Sequence, residues 1–316
     1  MVDASSYLFN FSNKSNFLLS DCTSPIYSQI DQESSRALKI DNKLLISILL
    51  PVGDSQFLEK TLLDIVNQDY LTWELIALLN KSDQIAVDLL KRIIPSEKLI
   101  LLEFSKPFNL AERLNIAIDH SHGNFIARMD ADDRYDSTRF STQIGHFLKE
   151  ENSRVAVLGT WATVINEKSL IAGEIQLPTD TDAVRRRFMY RNTVLHPSAM
   201  IRRSVLEEFR YNEKTVLCQD LELWLRILKK YEIKNIDLNL LKYRIHFGNQ
   251  SNNRLSLREI LLISKHRWNL VGNNQVLLLH FLIGNSIWSI KNFFIGPLGL
   301  QKSRLFLKRF SKKDLV

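Results

Sequence analysis

Between residues 43 and 150 the chain alternates two hydrophobic rhythms. Residues 44–50 form a nearly unbroken apolar run closed by Pro51, the pattern of a strand buried on both faces. Phe57, Leu58, Leu62, Ile65 and Val66 then recur at helical spacing, which predicts a helix over 57–67. The alternation continues with strands at 73–79, 99–104 and 124–129 and helices at 86–94, 110–118 and 137–150. Gly123 reads as the stop of the 110–118 helix. Strand and helix taken in turn predict an α/β domain with a mainly parallel sheet and right-handed crossovers. Ligands of such sheets sit beyond the carboxyl ends of the strands. Pro51, Leu79-Asn80 and Asp130 to Asp133 all fall at such ends.

After Glu150 the rhythm loosens. Strands are predicted at 155–164, 199–202 and 240–245, a basic helix at 181–191 and an amphipathic helix at 220–231. Beyond Asn253 the pattern is helical and increasingly apolar. Residues 1–42 are rich in Ser, Asn and Asp and read as a loosely packed arm; no basic stretch leads into a long apolar run, so no signal peptide is expected. The expected organisation is an arm (1–42), an α/β domain (43–253) and a helical tail (254–316).

Composition changes this picture in two places. The 316 residues carry a net charge of +7, but the 62 residues from Leu255 onward hold ten basic and two acidic groups, a net +8. The body is therefore neutral, which argues against a nucleic-acid binder. Two cysteines, Cys22 and Cys218, are too few for a disulfide framework or a four-ligand zinc site and fit a reducing, cytoplasmic compartment.

Asp130-Ala131-Asp132-Asp133 is the strongest chemical signal. Three carboxylates in four residues repel one another and need a counter-charge. Hard divalent ions take carboxylate and phosphate oxygens together. The bland alternative, a solvated acidic loop capping the next helix, loses ground because the cluster follows a buried strand directly.

Here the sequence resembles the family 2 glycosyltransferases of GT-A fold. Ile126 to Asp133 resembles their DxD region, 46–52 the opening strand and 62–70 (LLDIVNQDY) the helix ending in an NQ-Y turn. Residues 109–115, His196-Pro197-Ser198, 219–226 (QDLELWLR) and Tyr243-Arg244-Ile245-His246 resemble further landmarks in the family's order. The resemblance implies a nucleotide-diphospho-sugar transferase with a Rossmann-like mixed sheet and a helical C-terminal extension. It implies inverting transfer of a sugar from a UDP- or dTDP-type donor to an acceptor hydroxyl, in surface polysaccharide or glycolipid synthesis. It places Pro51, Val52, Asn80, Arg113, Asp130 and Arg244 on the donor nucleotide sugar. It places Asp132, Asp130 and His246 on Mn²⁺ or Mg²⁺, and Asp220 as the base. Asp133 either supports that shell or caps the next helix.

Read alone, Asp220 is an acid in a first helical turn, where the dipole favours it anyway. His246 ligates metal, donates to the diphosphate, or simply ends a strand. Arg128 and Arg244 bind phosphate or pair with nearby carboxylates. Trp224 and Leu225 read as core. Two departures stand out. The family's paired acids after the second strand are replaced by Leu79-Asn80-Lys81-Ser82-Asp83, where Asn80 can still bond a base edge, and the usual Glu before the base is Gln219.

The tail adds a partner. Residues 275–300 are apolar but broken by Gly284, Gly296, Pro297 and Gly299, so a helical hairpin on the domain or in a bilayer interface is expected rather than a span, with Trp288, Phe293 and Phe294 as anchors. Residues 302–313 carry six basic groups interleaved with Leu and Phe, a composition for an anionic membrane surface on the cytoplasmic face. Two other readings compete. A nucleotidyltransferase would carry a Gly-rich basic loop after the first strand, which 51–55 does not supply. A degenerate, non-catalytic membrane-bound scaffold conflicts with an intact set of Asp130, Asp132 and Asp220.

Overall fold

Buried apolar runs set the centre of the fold. The strands β1 (Ile46–Val52), β2 (Trp73–Asn80), β3 (Leu99–Phe104) and β4 (Phe125–Arg128) form a parallel half-sheet in the order β3-β2-β1-β4. The computed structural model describes residues 44–53, 55–80, 83–105, 108–246, 255–290 and 292; the arm (1–42) and the basic stretch 302–313 lie outside them, as do Phe293 and Phe294 and the side chain of Asn80. Connecting the parallel strands are α1 (Leu58–Val66), α2 (Gln84–Ile93) and α3 (Leu110–Asp119). Asp83 caps α2 by accepting from the Ile85 and Ala86 N–H groups, and a reciprocal Asn109–Glu112 box caps α3.

Pro51 sits inside β1, one residue beyond the expected end. Its neighbours explain why this is tolerated. Even positions of β1 face β2, as the bond from Ile46 N–H to the Thr72 carbonyl shows, and odd positions face β4, where Leu49 accepts from Met129. The β4 ladder stops at the Leu49–Arg128 pair, so Pro51 lacks a donor only where no partner strand remains.

The second half of the sheet is mixed rather than parallel. β8 (Met200–Arg202) runs antiparallel to β4 and to β6 (Val155–Ile165), β9 (Glu232–Arg244) parallels β6, and the short β5 (Arg134–Tyr135) and β7 (Ile171–Ile175) pair antiparallel with β9 and β6. Helices α4 (Arg139–Phe147), α5 (Thr181–Phe188), α6 (Arg203–Glu208) and α7 (Gln219–Ile227) pack around it. β9 begins eight residues before the predicted strand, because its first half is polar. Asp237 and Leu238 are exposed where the β6–β9 register shifts.

The tail helices α8 (Leu257–Val271), α9 (Gln275–His280), a π-turn (Phe281–Asn285) and α10 (Ser286–Ile290) belong to the same compact unit as the sheet. Arg267, fully buried, locks them down: its Nε donates to the Phe188 carbonyl at 2.8 Å and its Nη1 to Asn285 at 2.9 Å. Trp288 lies over that guanidinium at 4.2 Å, so it faces the domain and not a bilayer. None of the described helices is long and apolar enough to cross a membrane.

Gly123 does not end α3, which stops at Asp119. It lets the chain pass β1: a Cβ there would lie 2.6 Å from the Ser47 amide nitrogen and 2.7 Å from the Leu45 carbonyl oxygen. Gly123→Ala is therefore expected to destabilise by about 1–3 kcal/mol. Gly145, inside α4 with open space at its Cβ, gives the opposite: Gly145→Ala is expected to stabilise by about 0.5–1 kcal/mol. Urea midpoints of the two variants check both signs; equal stabilities would refute the packing argument.

Candidate active site

Strand order reverses between β1 and β4, because the chain adds β2 and β3 on one side and returns through α3 to the other. The crevice at such a reversal, outside the carboxyl ends, is the ligand position of an open α/β sheet. Pro51 and Val52 end β1 there, Asn80 ends β2, and β4 delivers the acidic loop.

That loop is held from three sides. From α1, Thr61 Oγ1 lies 2.9 Å from the Ala131 carbonyl and 2.8 Å from the Asp133 carbonyl. Asp64 accepts from Arg134 Nε at 2.5 Å, from its Nη2 at 2.7 Å and from the Tyr135 N–H at 2.9 Å. Gln68 donates to the Asp136 carbonyl at 2.7 Å and accepts from the Phe140 N–H. Thr61 and Asp64 lie three apart on one face of α1 and Gln68 follows just past its end, so the segment resembling the NQ-Y element acts here as the clamp of the acidic loop. From within the loop's own turn, the Asp130 N–H donates to the Tyr135 hydroxyl at 2.6 Å.

From β9, Arg244 donates its backbone N–H to Asp133 Oδ1 at 2.7 Å and its Nε to the Asp132 carbonyl at 2.6 Å, while Nη1 reaches the Asn166 carbonyl at 2.9 Å. Arg244 is fully buried, with its guanidinium 4.2 Å over the Phe57 ring. The Arg244 side chain thus ties the acidic loop to the 166–169 turn, where Nη1 also meets the Glu167 carbonyl and the Ser169 hydroxyl. His246, two residues on, places Nε2 2.7 Å from Asp132 Oδ2.

The carboxylates themselves converge. Ligating oxygens of Asp130, Asp132 and Asp133 lie within 4.8 Å of one another. Asp133 is buried, and its Oδ2 has no hydrogen-bond partner among the described residues. Burial, then the charges of Asp130 and Asp132, push the Asp133 carboxyl well above the ordinary range, against the Arg244 N–H and Arg128. Burial also raises Asp130, opposed by Arg128 and reinforced by Asp132. A buried carboxylate oxygen without a partner, beside two more carboxylates, suits a divalent cation. The donor set is all oxygen with one imidazole in reach, which fits a hard ion rather than a thiophilic one.

Beneath the loop, Arg128 ends β4 with only 2% of its surface exposed. Its Nη2 meets Asp130 Oδ1 at 2.6 Å and its Nη1 donates to the Met129 carbonyl. Arg139, also buried, supports this turn by donating to the Arg128 carbonyl at 3.0 Å, and burial pushes its guanidinium down to about 10. Arg113 on α3 is buried next to Arg128. Burial and that neighbouring charge lower it, and its Nε and Nη1 have no partner among the described residues. These two unmatched N–H groups make Arg113 a candidate anion contact.

Asp220 occupies the first turn of α7, half-buried. Its Oδ2 accepts from Asn192 Nδ2 at 2.8 Å. Burial raises its carboxyl, while the Leu221 N–H, Asn192 and the charge of Arg128 hold it down. Cys218, just before the helix, adopts φ 56°, a left-handed conformation uncommon for a side-chain residue, and so aims Gln219 and Asp220. Its thiol is pushed up to about 12 by burial and by Asp220 and Glu259, so it is not a nucleophile. His196, bonded to the Tyr211 hydroxyl at 2.8 Å, is held well below its ordinary value by burial and by Arg128, hence neutral. Trp224 and Leu225 are fully buried core. Thr61, Asp64, Gln68, Arg139 and Asn192 escaped the sequence reading, although the polar stripe on α1 was a legible signal.

Comparison with known proteins agrees with this geometry. Residues 47–210 match Glycosyl transferase family 2. An uncharacterized glycosyltransferase of Methanocaldococcus jannaschii is 26% identical over 210 residues, covering 65% of this chain and 72% of that protein. WfgD of Escherichia coli, a UDP-Glc:alpha-D-GlcNAc-diphosphoundecaprenol beta-1,3-glucosyltransferase, is 25% identical over 255 residues, covering 78% and 94%. Among solved structures, Staphylococcus aureus TarS 1-349 with UDP-GlcNAc superposes with a TM-score of 0.65 at 17% identity, covering 79% of this chain and 75% of that one. The mannosyltransferase PcManGT from Pyrobaculum calidifontis, in complex with GDP-Man and Mn²⁺, gives 0.56 at 14%, covering 84% and 79%. An acidic loop at the switch point of this sheet and a family match across half the chain lead to one conclusion: the chain belongs to glycosyl transferase family 2.

Proposed function

We propose that this glycosyltransferase moves a sugar from a uridine or deoxythymidine diphosphate donor to an acceptor hydroxyl with inversion, assisted by Mn²⁺ or Mg²⁺, in surface polysaccharide or glycolipid synthesis. The observation that carries the reading is the pairing of two carboxylate stations, Asp130 to Asp133 and Asp220, through one buried cation: Arg128 bonds Asp130, and its charge reaches Asp220. The relatives add support: WfgD is named for a UDP-Glc donor and a diphosphoundecaprenol-linked acceptor, and TarS was solved with UDP-GlcNAc.

The residues divide the work. Pro51, Val52 and Asn80 line the nucleoside end of the crevice, and Arg113 offers its unmatched N–H groups to the diphosphate. Asp132 and Asp130, with Asp133 behind them and His246 alongside, hold the divalent cation. When bound, that cation supplies charge neutralisation for the departing diphosphate. Asp220 takes the proton of the acceptor hydroxyl as its oxygen bonds to the anomeric carbon. The bond from that carbon to the diphosphate breaks on the opposite face, which inverts the centre. Asn192 orients Asp220 for this step. The tail, by its composition, brings the enzyme to the cytoplasmic face of a membrane where a lipid-linked acceptor resides.

Three measurements test this. Asp220→Asn is expected to lower kcat by about 10²–10⁴-fold while donor still raises the melting temperature; full turnover in that variant removes Asp220 as base. Asp132→Ala is expected to abolish stabilisation by Mn²⁺ alone in a thermal-shift titration, and an unchanged shift would take Asp132 out of the ion site. The base works deprotonated and burial raises its pKa, so kcat should fall as pH drops through a value above the ordinary Asp range of about 4. Asp220→Glu should move that acid limb, and a limb identical to wild type would assign it to another group.

A further inference from the structure

The tail helices present a surface that the transfer chemistry does not use. On α8, Leu261 and Trp268 are more than half exposed. On the second arm of the hairpin Leu279, Ile283, Ile287 and Ile290 are as exposed, spaced four, four and three apart. Trp268 meets the half-buried Phe281 at 5.4 Å between ring centroids, so the exposed side of α8 adjoins the second arm of the hairpin. The opposite sides carry the packing, through Ile260, Ile263, Leu270 and Leu277 and through Arg267. Soluble surfaces rarely leave such a contiguous patch open.

Charge identifies what covers it. Between residues 255 and 292 the sole carboxylate is Glu259, which is buried and bonded to Ser256 and to the Leu217 N–H. Arg258 and Lys265 are exposed on the same side of α8 as Leu261. The C-terminal end of α5 adds a second basic edge. Tyr190 stacks on His280 at 6.5 Å, and the seam needs Gly284, where a Cβ would lie 2.5 Å from Tyr190 Cβ. That contact brings Arg186 and Arg187, half-exposed and without an ion pair among the described residues, to the rim. The residues that follow, 291–313, hold seven basic groups and no acid.

We infer that this face of the tail hairpin, with its Arg186–Arg187 rim, is the docking surface for an anionic lipid bilayer, and that it sets the catalytic site at a fixed height above the lipid. An apolar stripe flanked by cations on a helix lying flat is the chemistry of an interfacial helix. A second copy fits worse, because a two-fold interface would press the same basic rim against itself. Fixed height follows from the connections. Asn192, two residues beyond Tyr190, holds Asp220, and Glu222 on the same helix pairs with His266 of α8 at 3.2 Å. The hairpin is thus tied to the base and not to the donor crevice. The inference deepens the transferase reading by naming the surface that presents the acceptor, but its test needs no turnover.

The full-length chain should float with vesicles of phosphatidylcholine mixed with phosphatidylglycerol, and not with phosphatidylcholine alone. Ile283→Glu combined with Ile287→Glu, both at exposed positions, should cut the bound fraction about tenfold with the melting temperature unchanged. Arg186→Glu combined with Arg187→Glu should weaken binding and flatten its salt dependence. Wild-type binding by the Ile283/Ile287 variant would overturn the assignment and leave the basic stretch alone as the anchor. So would failure of the wild type to float; light scattering that shows a dimer dissolved by the same two substitutions would give the face to a second copy. Loss of transfer with flotation intact would fault the transferase reading only.

Discussion

Like charges held together at the mouth of an apolar sheet are the constraint on which the rest of this structure depends. Three carboxylates within 4.8 Å would drive the loop apart in water. The protein opposes this with a buried guanidinium below the loop, Arg128, and with main-chain bonds from α1 and β9 that leave the loop one conformation. The compensation is incomplete: Asp133 keeps a buried oxygen without a partner among the described residues, and both Asp130 and Asp133 stay raised. That residual imbalance is what a cation and a diphosphate would settle together. A site tuned to neutrality on its own would have no reason to bind either.

Arg128 also links the two halves of the reaction. Its charge bears on Asp130 at contact distance and on Asp220 through space, and it adds to the burial that holds His196 well below its ordinary value. Any change at this residue shifts the acidic loop and Asp220 together. The two non-glycine residues with left-handed backbone among those described serve the same pair of stations. Ser169 (φ 62°) bonds the Arg244 that clamps the acidic loop, and Cys218 (φ 56°) turns the chain into the helix of Asp220. Strain is located where side-chain direction matters and not in the core.

How much of this was legible depended on the kind of interaction. Strands buried on both faces announce themselves as apolar runs, so β1 to β4 and the three helices between them were readable within a few residues. The acidic loop was readable because burial of three charges has few bland explanations. β9 was half hidden, since a strand with one face among polar partners and a register shift loses its alternation. Gly123 was visible as a glycine, but its reason, the backbone of β1 passing within contact of where a Cβ would be, is tertiary. Arg244 shows the same limit: the sequence distinguishes a phosphate-binding arginine from a buried clamp only through its neighbours, and those come from 78 and 112 residues away.

Charge segregation along the chain acquires a spatial meaning in the fold. The neutral body places its uncompensated acids at the switch point, while the tail's helices pack on α7, the element that carries Asp220. An enzyme whose donor is soluble and whose acceptor is held in a lipid surface has to receive the two substrates from different directions. Under the proposed function, donor would enter at the strand ends, beside Arg113 and the acidic loop. Under the same proposal, acceptor would reach Asp220 past Asn192 and Tyr190, the segment that touches the hairpin. Attack opposite to the leaving diphosphate demands this separation, since the base and the ion must flank the anomeric carbon. If the tail hairpin is the membrane face, its ties to α7 would set that face beside Asp220 and away from the acidic loop.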